Sequence, residues 1–190
     1  LAPKGLFFAP DPASVKFSTV GGNASTCAGG MRAVKYGVTR DHILGIEAVL
    51  PGGALIHAGG RTHKNVVGLD LTRLLVGSEG TLGLFTKLIL KLLPKPAATA
   101  TLALAYPSVD AALAAAGDVF KAGLLPVAME LLAKEAMDAV AAINAVPWPR
   151  DAGAALFLRV DGSPEAVAAD VRLLAAATET AGPVWSERAT

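Results

Sequence analysis

Cysteine is almost missing. Cys27 stands alone in 190 residues, so no internal disulfide framework exists and a reducing, cytoplasmic compartment fits best. Charge of one sign is not in excess either. Seventeen Lys and Arg face 16 Asp and Glu, a net charge of +1. Without a basic patch to neutralise phosphates, nucleic-acid binding of that kind is excluded. Charged residues make up 17% and hydrophobic ones 53%, the reverse of the balance that keeps a chain disordered. Mean hydropathy is +0.49, yet no run of about 18 residues is free of charge, proline and clustered glycine, so no membrane-spanning helix is expected. Nor is a signal peptide, since no basic segment leads into an apolar one.

Familiar chemical signatures are missing too. The dinucleotide fingerprint G-x-G-x-x-G, the phosphate loop G-x-x-x-x-G-K-[ST] and the serine elbow G-x-S-x-G do not occur, which removes Rossmann binding, P-loop chemistry and serine hydrolysis. His42, His57 and His63 lack a metal-ligand spacing, so each reads as a lone surface or core histidine and no metal is expected. Cys27 has no evident base beside it and reads as an inert buried thiol.

What is present divides near residue 95. The first part is rich in glycine, with pairs at 21–22, 29–30, 52–53 and 59–60. The second is rich in alanine and periodic. Leu93-Pro94-Lys95-Pro96 connects them, and prolines so placed cannot continue a central strand. The expected domains are therefore 1–96 and 97–190. In the first, Ile43 to Leu50 and Ala54 to His57 read as a hairpin about Pro51-Gly52-Gly53. Asp70 to Leu75 reads as a short helix capped by Asp70, and Leu84 to Leu92 as a strand with both lysines exposed. In the second, strands are expected at Thr101 to Ala105, Val127 to Leu131 and Ala154 to Val160. Helices are expected from Ser108 to about Phe120, from Lys134 to Ile143, and from Ser163-Pro164-Glu165 to about Thr180. That order predicts an α+β fold with helices on one face of a mostly antiparallel sheet.

Three stretches carry chemistry. Pro10 to Gly30, PDPASVKFSTVGGNASTCAGG, is a run of small residues whose backbone N–H groups can cradle an anion, with Asn23, Ser25 and Thr26 adding side-chain partners; a ligand-free glycine loop is the alternative. Arg40-Asp41 reads either as a structural ion pair or as an arginine that orients a loop or meets a ligand phosphate. Gly77 to Gly83, GSEGTLG, reads either as a tight turn with a solvated Glu79 or as a backbone cradle.

In this order, PDPAS, STVGGNASTCAGG, KYGVTRDHILGIEAVLPGG, GGRTHKNVVGLDL and VGSEGTLGLFTKLILKLLPKP resemble the FAD-linked oxidoreductases of the vanillyl-alcohol-oxidase, or PCMH, type, in the branch holding glycolate oxidase flavin subunits and D-lactate dehydrogenases. TLALAYPSVDAALAA and LPVAMELLAKEAMDAV resemble the start of that family's cap. The resemblance implies the second half of a PCMH-type FAD-binding domain at 1–96 and part of a ferredoxin-like cap at 97–190. It places Asp11, Ser14 and Thr19 to Asn23, with Gly21 and Gly22 among them, along the FAD pyrophosphate and ribityl chain. Ser25, Thr26, Ala28 and Gly29 continue that cradle. Gly37, Val38 and Arg40 lie at the adenine or phosphate end, and Glu79, Gly80 and Thr81 close the pocket. Lys64 and Asn65 fall in the substrate region. The implied reaction is oxidation of a small 2-hydroxy acid by hydride transfer to flavin, with an iron–sulfur or other electron-transfer subunit as a possible partner; no catalytic residue is identified. The family's PRGxGTxxxGG loop is expected before residue 1 and its histidine-bearing stretch after Thr190, so a truncated chain acting only as a structural or interaction module is the alternative reading. Leu69, where relatives have Tyr or Phe, and His63 depart from the pattern.

Overall fold

The computed structural model describes residues 1–144, 146 and 148–189. It forms two compact units, Leu1–Lys95 and Pro96–Thr190.

In the first unit, the chain runs through β1 (Leu6–Phe7), α1 (Val20–Thr26), α2 (Ala33–Tyr36), β2 (Ile43–Val49), β3 (Leu55–Gly59), α3 (Leu71–Leu75), β4 (Leu84–Leu90) and β5 (Leu93–Pro94). β2 is the middle of an antiparallel sheet ordered β3-β2-β4. Ile43, Ile46 and Ala48 of β2 pack with Ala24, Leu75 and Val76, so the short helices α1 and α3 are held by burial rather than length. Asp70 caps α3, its carboxylate accepting from the Arg73 N–H at 2.9 Å. On the exposed side of the sheet Glu47 stands opposite both His57 and Lys87 and also accepts from the Thr86 hydroxyl at 2.7 Å. These bonds, from Thr86, Lys87 and His57, hold the Glu47 carboxyl down at about 2.

Two sequence expectations change here. Part of the glycine-rich stretch is α1, not loop. Thr19 caps it, accepting from the Gly22 N–H at 3.0 Å, and burial of Asn23 and Ala24 outweighs the poor helix propensity of two glycines. Arg40 and Asp41 do not serve each other. Asp41 accepts from the Arg73 guanidinium at 3.0 Å and the Val38 N–H at 2.9 Å, while Arg40 donates elsewhere. Burial works to raise the Asp41 pKa, but the Val38 and Arg73 bonds outweigh it and hold it below the usual value.

The second unit runs β6 (Ala98–Tyr106), α4 (Val109–Lys121), β7 (Ala128–Ala133), α5 (Lys134–Asn144), β8 (Ala154–Gly162), α6 (Pro164–Glu179) and β9 (Trp185–Ala189). The sheet order is β7-β8-β6-β9, every neighbour antiparallel. That is the ferredoxin-like order, with α5 inserted between the second and third strands. Ser108 and Ser163 cap α4 and α6, each hydroxyl accepting from the N–H three residues on at 3.2 Å. Leu102, Leu104, Tyr106, Leu156 and Leu158 face α4 and α6 and form the main core, each buried leucine contributing roughly 1.5–3 kcal/mol.

The helices do not share one face. Met137 of α5 packs with Ala105 and Ala155 beside Trp148, Phe157 and Trp185, on the face opposite the main core, because the alternate positions of β6 and β8 are apolar as well. β9 was not anticipated from the sequence, since its residues are mostly exposed. Among the described residues no helix is long and apolar enough to cross a membrane.

Candidate functional site

The glycine-rich motifs meet in the first unit through backbone bonds. α1 ends at Cys27, which takes the left-handed conformation, φ 52°, and is half-buried with a free thiol. Just beyond, the Ala28 carbonyl accepts from both the Thr39 N–H at 3.1 Å and the Thr39 hydroxyl at 2.7 Å. From the other side comes the turn after α3. The Gly77 N–H donates to the Ala24 carbonyl at 3.0 Å, and the Glu79 N–H donates to the Ser25 carbonyl at 2.9 Å. Arg40 Nη2 donates to the Val76 carbonyl at 2.7 Å. Segments 23–29, 38–40 and 76–81 thus form one small-residue surface.

That surface has a rigid base and an open top. Val76 and Ala24 are fully buried, whereas Gly21, Gly22, Thr26, Glu79, Gly80 and Thr81 are exposed. A β-carbon at Gly21 or Gly80 meets nothing within 4 Å, so an extended ligand has room to approach the backbone there. Glu79 holds φ 52°, uncommon for a residue with a side chain. The Ser18 and Ser78 hydroxyls are buried without partners. The open backbone at Gly21 and Gly80 leaves room for a dinucleotide cofactor with an anionic bridge.

The remaining sequence candidates are placed differently. Asp11 is occupied by Arg32, whose Nε lies 3.0 Å from one oxygen and whose N–H donates to the other at 3.2 Å. Ser14 is exposed in a turn and its carbonyl accepts from Phe17 and Ser18. Gly37 holds φ 81° against the Asp41 carboxylate, and Val38 packs toward Gly29. Lys64 and Asn65 lie on the exposed 60–70 loop, apart from the three bonded segments. Asn65 lines a 140 Å³ cavity with Thr62, His63, Asp70 and Thr72, and Lys64 does not. His42 is buried and its Nε2–H donates to the Tyr36 carbonyl, 2.9 Å away, a core role. Among the described residues no cluster of His, Cys, Asp or Glu could hold a metal ion.

Sequence reasoning missed three residues that build the base, Ala24, Thr39 and Val76, which act wholly or partly through main-chain atoms, for which side-chain chemistry gives no signal. Gly77 was legible through its place in GSEGTLG.

Two family models match the chain. Residues 1–59 match the FAD binding domain and residues 95–185 the C-terminal domain of FAD linked oxidases. The chain belongs to the FAD-linked oxidase family. It is 44% identical over 173 residues to glycolate oxidase subunit GlcD of Bacillus subtilis, covering 91% of this chain and 37% of that protein. It is 39% identical over 174 residues to a D-lactate dehydrogenase of Anaerostipes hadrus, covering 88% and 36%. A solved alkyldihydroxyacetonephosphate synthase shares the fold, with a TM-score of 0.79 at 20% identity over 98% of this chain and 36% of that one. The chain therefore spans little more than a third of the length of these relatives.

Proposed function

We propose that this chain is part of an FAD-dependent enzyme that oxidises a small 2-hydroxy acid, glycolate or D-lactate. Residues 1–96 would hold part of the cofactor and 97–190 would begin the cap domain. The observation that carries this reading is the pair of bonds from Gly77 and Glu79 to Ala24 and Ser25, which merges two glycine motifs into one open surface. The likeness to a glycolate oxidase subunit and a D-lactate dehydrogenase supports the substrate class.

In this reading Thr19, Gly21, Gly22 and Asn23, with Ser25, Thr26, Ala28 and Gly29, line the cofactor's chain, and Glu79, Gly80 and Thr81 close over it. Asp11, Ser14, Gly37 and Val38 support the rim. Lys64 and Asn65 face the substrate side. Bound FAD supplies the hydride acceptor. The chain's own part is to present N–H and hydroxyl donors to an anionic bridge and to keep bulky side chains off the backbone there. Because one relative is named a subunit, an electron-transfer subunit, iron–sulfur or other, is the partner we assign, and the single free Cys27 favours a cytoplasmic setting.

The test is FAD titration of the purified chain, read by quenching of flavin fluorescence. Saturable one-to-one binding, weakened at least tenfold by Gly21→Val, is the expected result. Binding unaffected by that change refutes the placement. No binding at all refutes the claim that this surface holds FAD on its own.

A further inference from the structure

We propose that Arg40 is a positioning residue that ties down the Gly77–Thr81 turn from beneath, not a ligand of the cofactor. The inference rests on reading that turn as one wall of the FAD surface.

Arg40 leaves the short 3-10 turn Thr39–His42 and reaches 36 residues along the chain to donate from Nη2 to the Val76 carbonyl at 2.7 Å. Val76 is fully buried, so this bond sits below the turn rather than on its open side. Arg40 Nε is buried as well and has no partner. An arginine that grips a phosphate side-on uses Nε and Nη2 as a fork. Here that edge is turned into the protein. The space around it is closed by Gly77. A β-carbon there would lie 2.8 Å from Arg40 Nη2 and 3.0 Å from the Cys27 β-carbon. Gly77 also holds φ +87°, open only to glycine at low cost. Glycine at 77 thus serves two ends: it permits the turn and admits the guanidinium. The bonds from Gly77 to Ala24 and from Glu79 to Ser25 lie directly after the tied carbonyl. Freeing Val76 releases both, and with them the surface on which Glu79, Gly80 and Thr81 stand.

The test is amide hydrogen exchange in the chain without cofactor, comparing the parent with R40M and R40K. A hydrogen bond from a charged donor predicts that R40M speeds exchange at Gly77 and Glu79 by roughly tenfold or more, while the β2 and β4 amides keep their protection. R40K, whose ammonium still donates to the Val76 carbonyl, recovers most of the loss. Unchanged exchange in R40M, or no recovery in R40K, overturns the proposal. If R40M unfolds the sheet, R40K decides alone: Gly77 and Glu79 protected as in the parent supports the tie, and their selective opening overturns it. FAD titration of the same proteins separates the two readings. Weaker FAD binding in R40M with unchanged exchange makes Arg40 a cofactor ligand and refutes the tie. Faster exchange in R40M, when the parent binds no FAD, leaves the tie standing and removes the cofactor.

Discussion

Two glycines of one motif respond to the same substitution with opposite sign. At Gly30 an added β-carbon would lie 2.3 Å from the Asp11 carbonyl oxygen, 2.6 Å from its carbon and 2.7 Å from Asp11 Oδ1. Ordinary contact requires roughly an ångström more, and backbone must supply it. Overpacking of that kind costs about 1–3 kcal/mol. Shifting Asp11 also stretches its bonds to Arg32, which at a partly exposed site adds at most about 1 kcal/mol. Gly30→Ala is therefore expected to destabilise by about 1–4 kcal/mol. At Gly21, inside α1, the same β-carbon meets nothing within 4 Å, and alanine in a helix gains about 0.5–1 kcal/mol over glycine. Equilibrium urea unfolding followed by far-ultraviolet circular dichroism, without FAD, measures both. With a slope of about 1–3 kcal/mol per molar urea, the two midpoints separate by roughly 0.5 M or more. A Gly30→Ala midpoint equal to the parent's, or a Gly21→Ala midpoint at or below that of Gly30→Ala, refutes the steric reasoning. FAD titration then divides them again: Gly21→Ala, the more stable protein, binds FAD less tightly, because its β-carbon stands on the open surface.

Leu158→Ala, at a fully buried position of β8, is expected to cost about 3–5 kcal/mol, read by tryptophan fluorescence in urea, since Trp148 and Trp185 both lie in the second unit. Leu173→Ala, 53% exposed on α6, is the control and should stay within about 0.5 kcal/mol. Glu47, held at about 2 against an ordinary 4.5, stabilises the fold above its unfolded value and loses that contribution as pH falls from 4.5 through 2; Glu47→Gln should flatten acid unfolding in that window. Burial lifts the Tyr106 phenol to about 12 from 10.0. Its contribution is complete below pH 10 and lost as pH rises through 12, so an ultraviolet absorbance titration should show one phenol ionising only with alkaline unfolding, and Tyr106→Phe should remove that step.

The elements legible from sequence are those whose signals are local. Asp70, Ser108 and Ser163 cap the helices they were expected to cap, and Pro51-Gly52-Gly53 turns β2 into β3. Where the reading failed, distant packing decided. α1 carries two glycines and forms because Ala24 is buried against β2 and α3. β9 offers little apolar pattern and pairs through main chain with β6. α5 crosses to the second face because Ala105 and Ala155 leave that face apolar and shallow enough for Met137. At the site, the residue types pointed to an open small-residue surface, but the partners of Gly77 and Glu79 are carbonyl oxygens, identical at every position of any chain. Arg40 reads from sequence either as the partner of Asp41 or as an arginine that orients a loop or meets a phosphate; the ion pair fails because Asp41 is taken by Arg73 and Val38 while Arg40 reaches Val76.

The brief pairing of β1 with β5 carries a topological consequence. Leu6 lies opposite Pro94 and Phe7 opposite Leu93, and the Lys95 N–H donates to the Gly5 carbonyl at 2.8 Å. That pairing pins residues 8–92 at a neck, so the stretch between is held as a loop tied at its base. A proteolytic nick at the exposed Gly52–Gly53 turn would therefore leave every strand of β3-β2-β4 with its present neighbours.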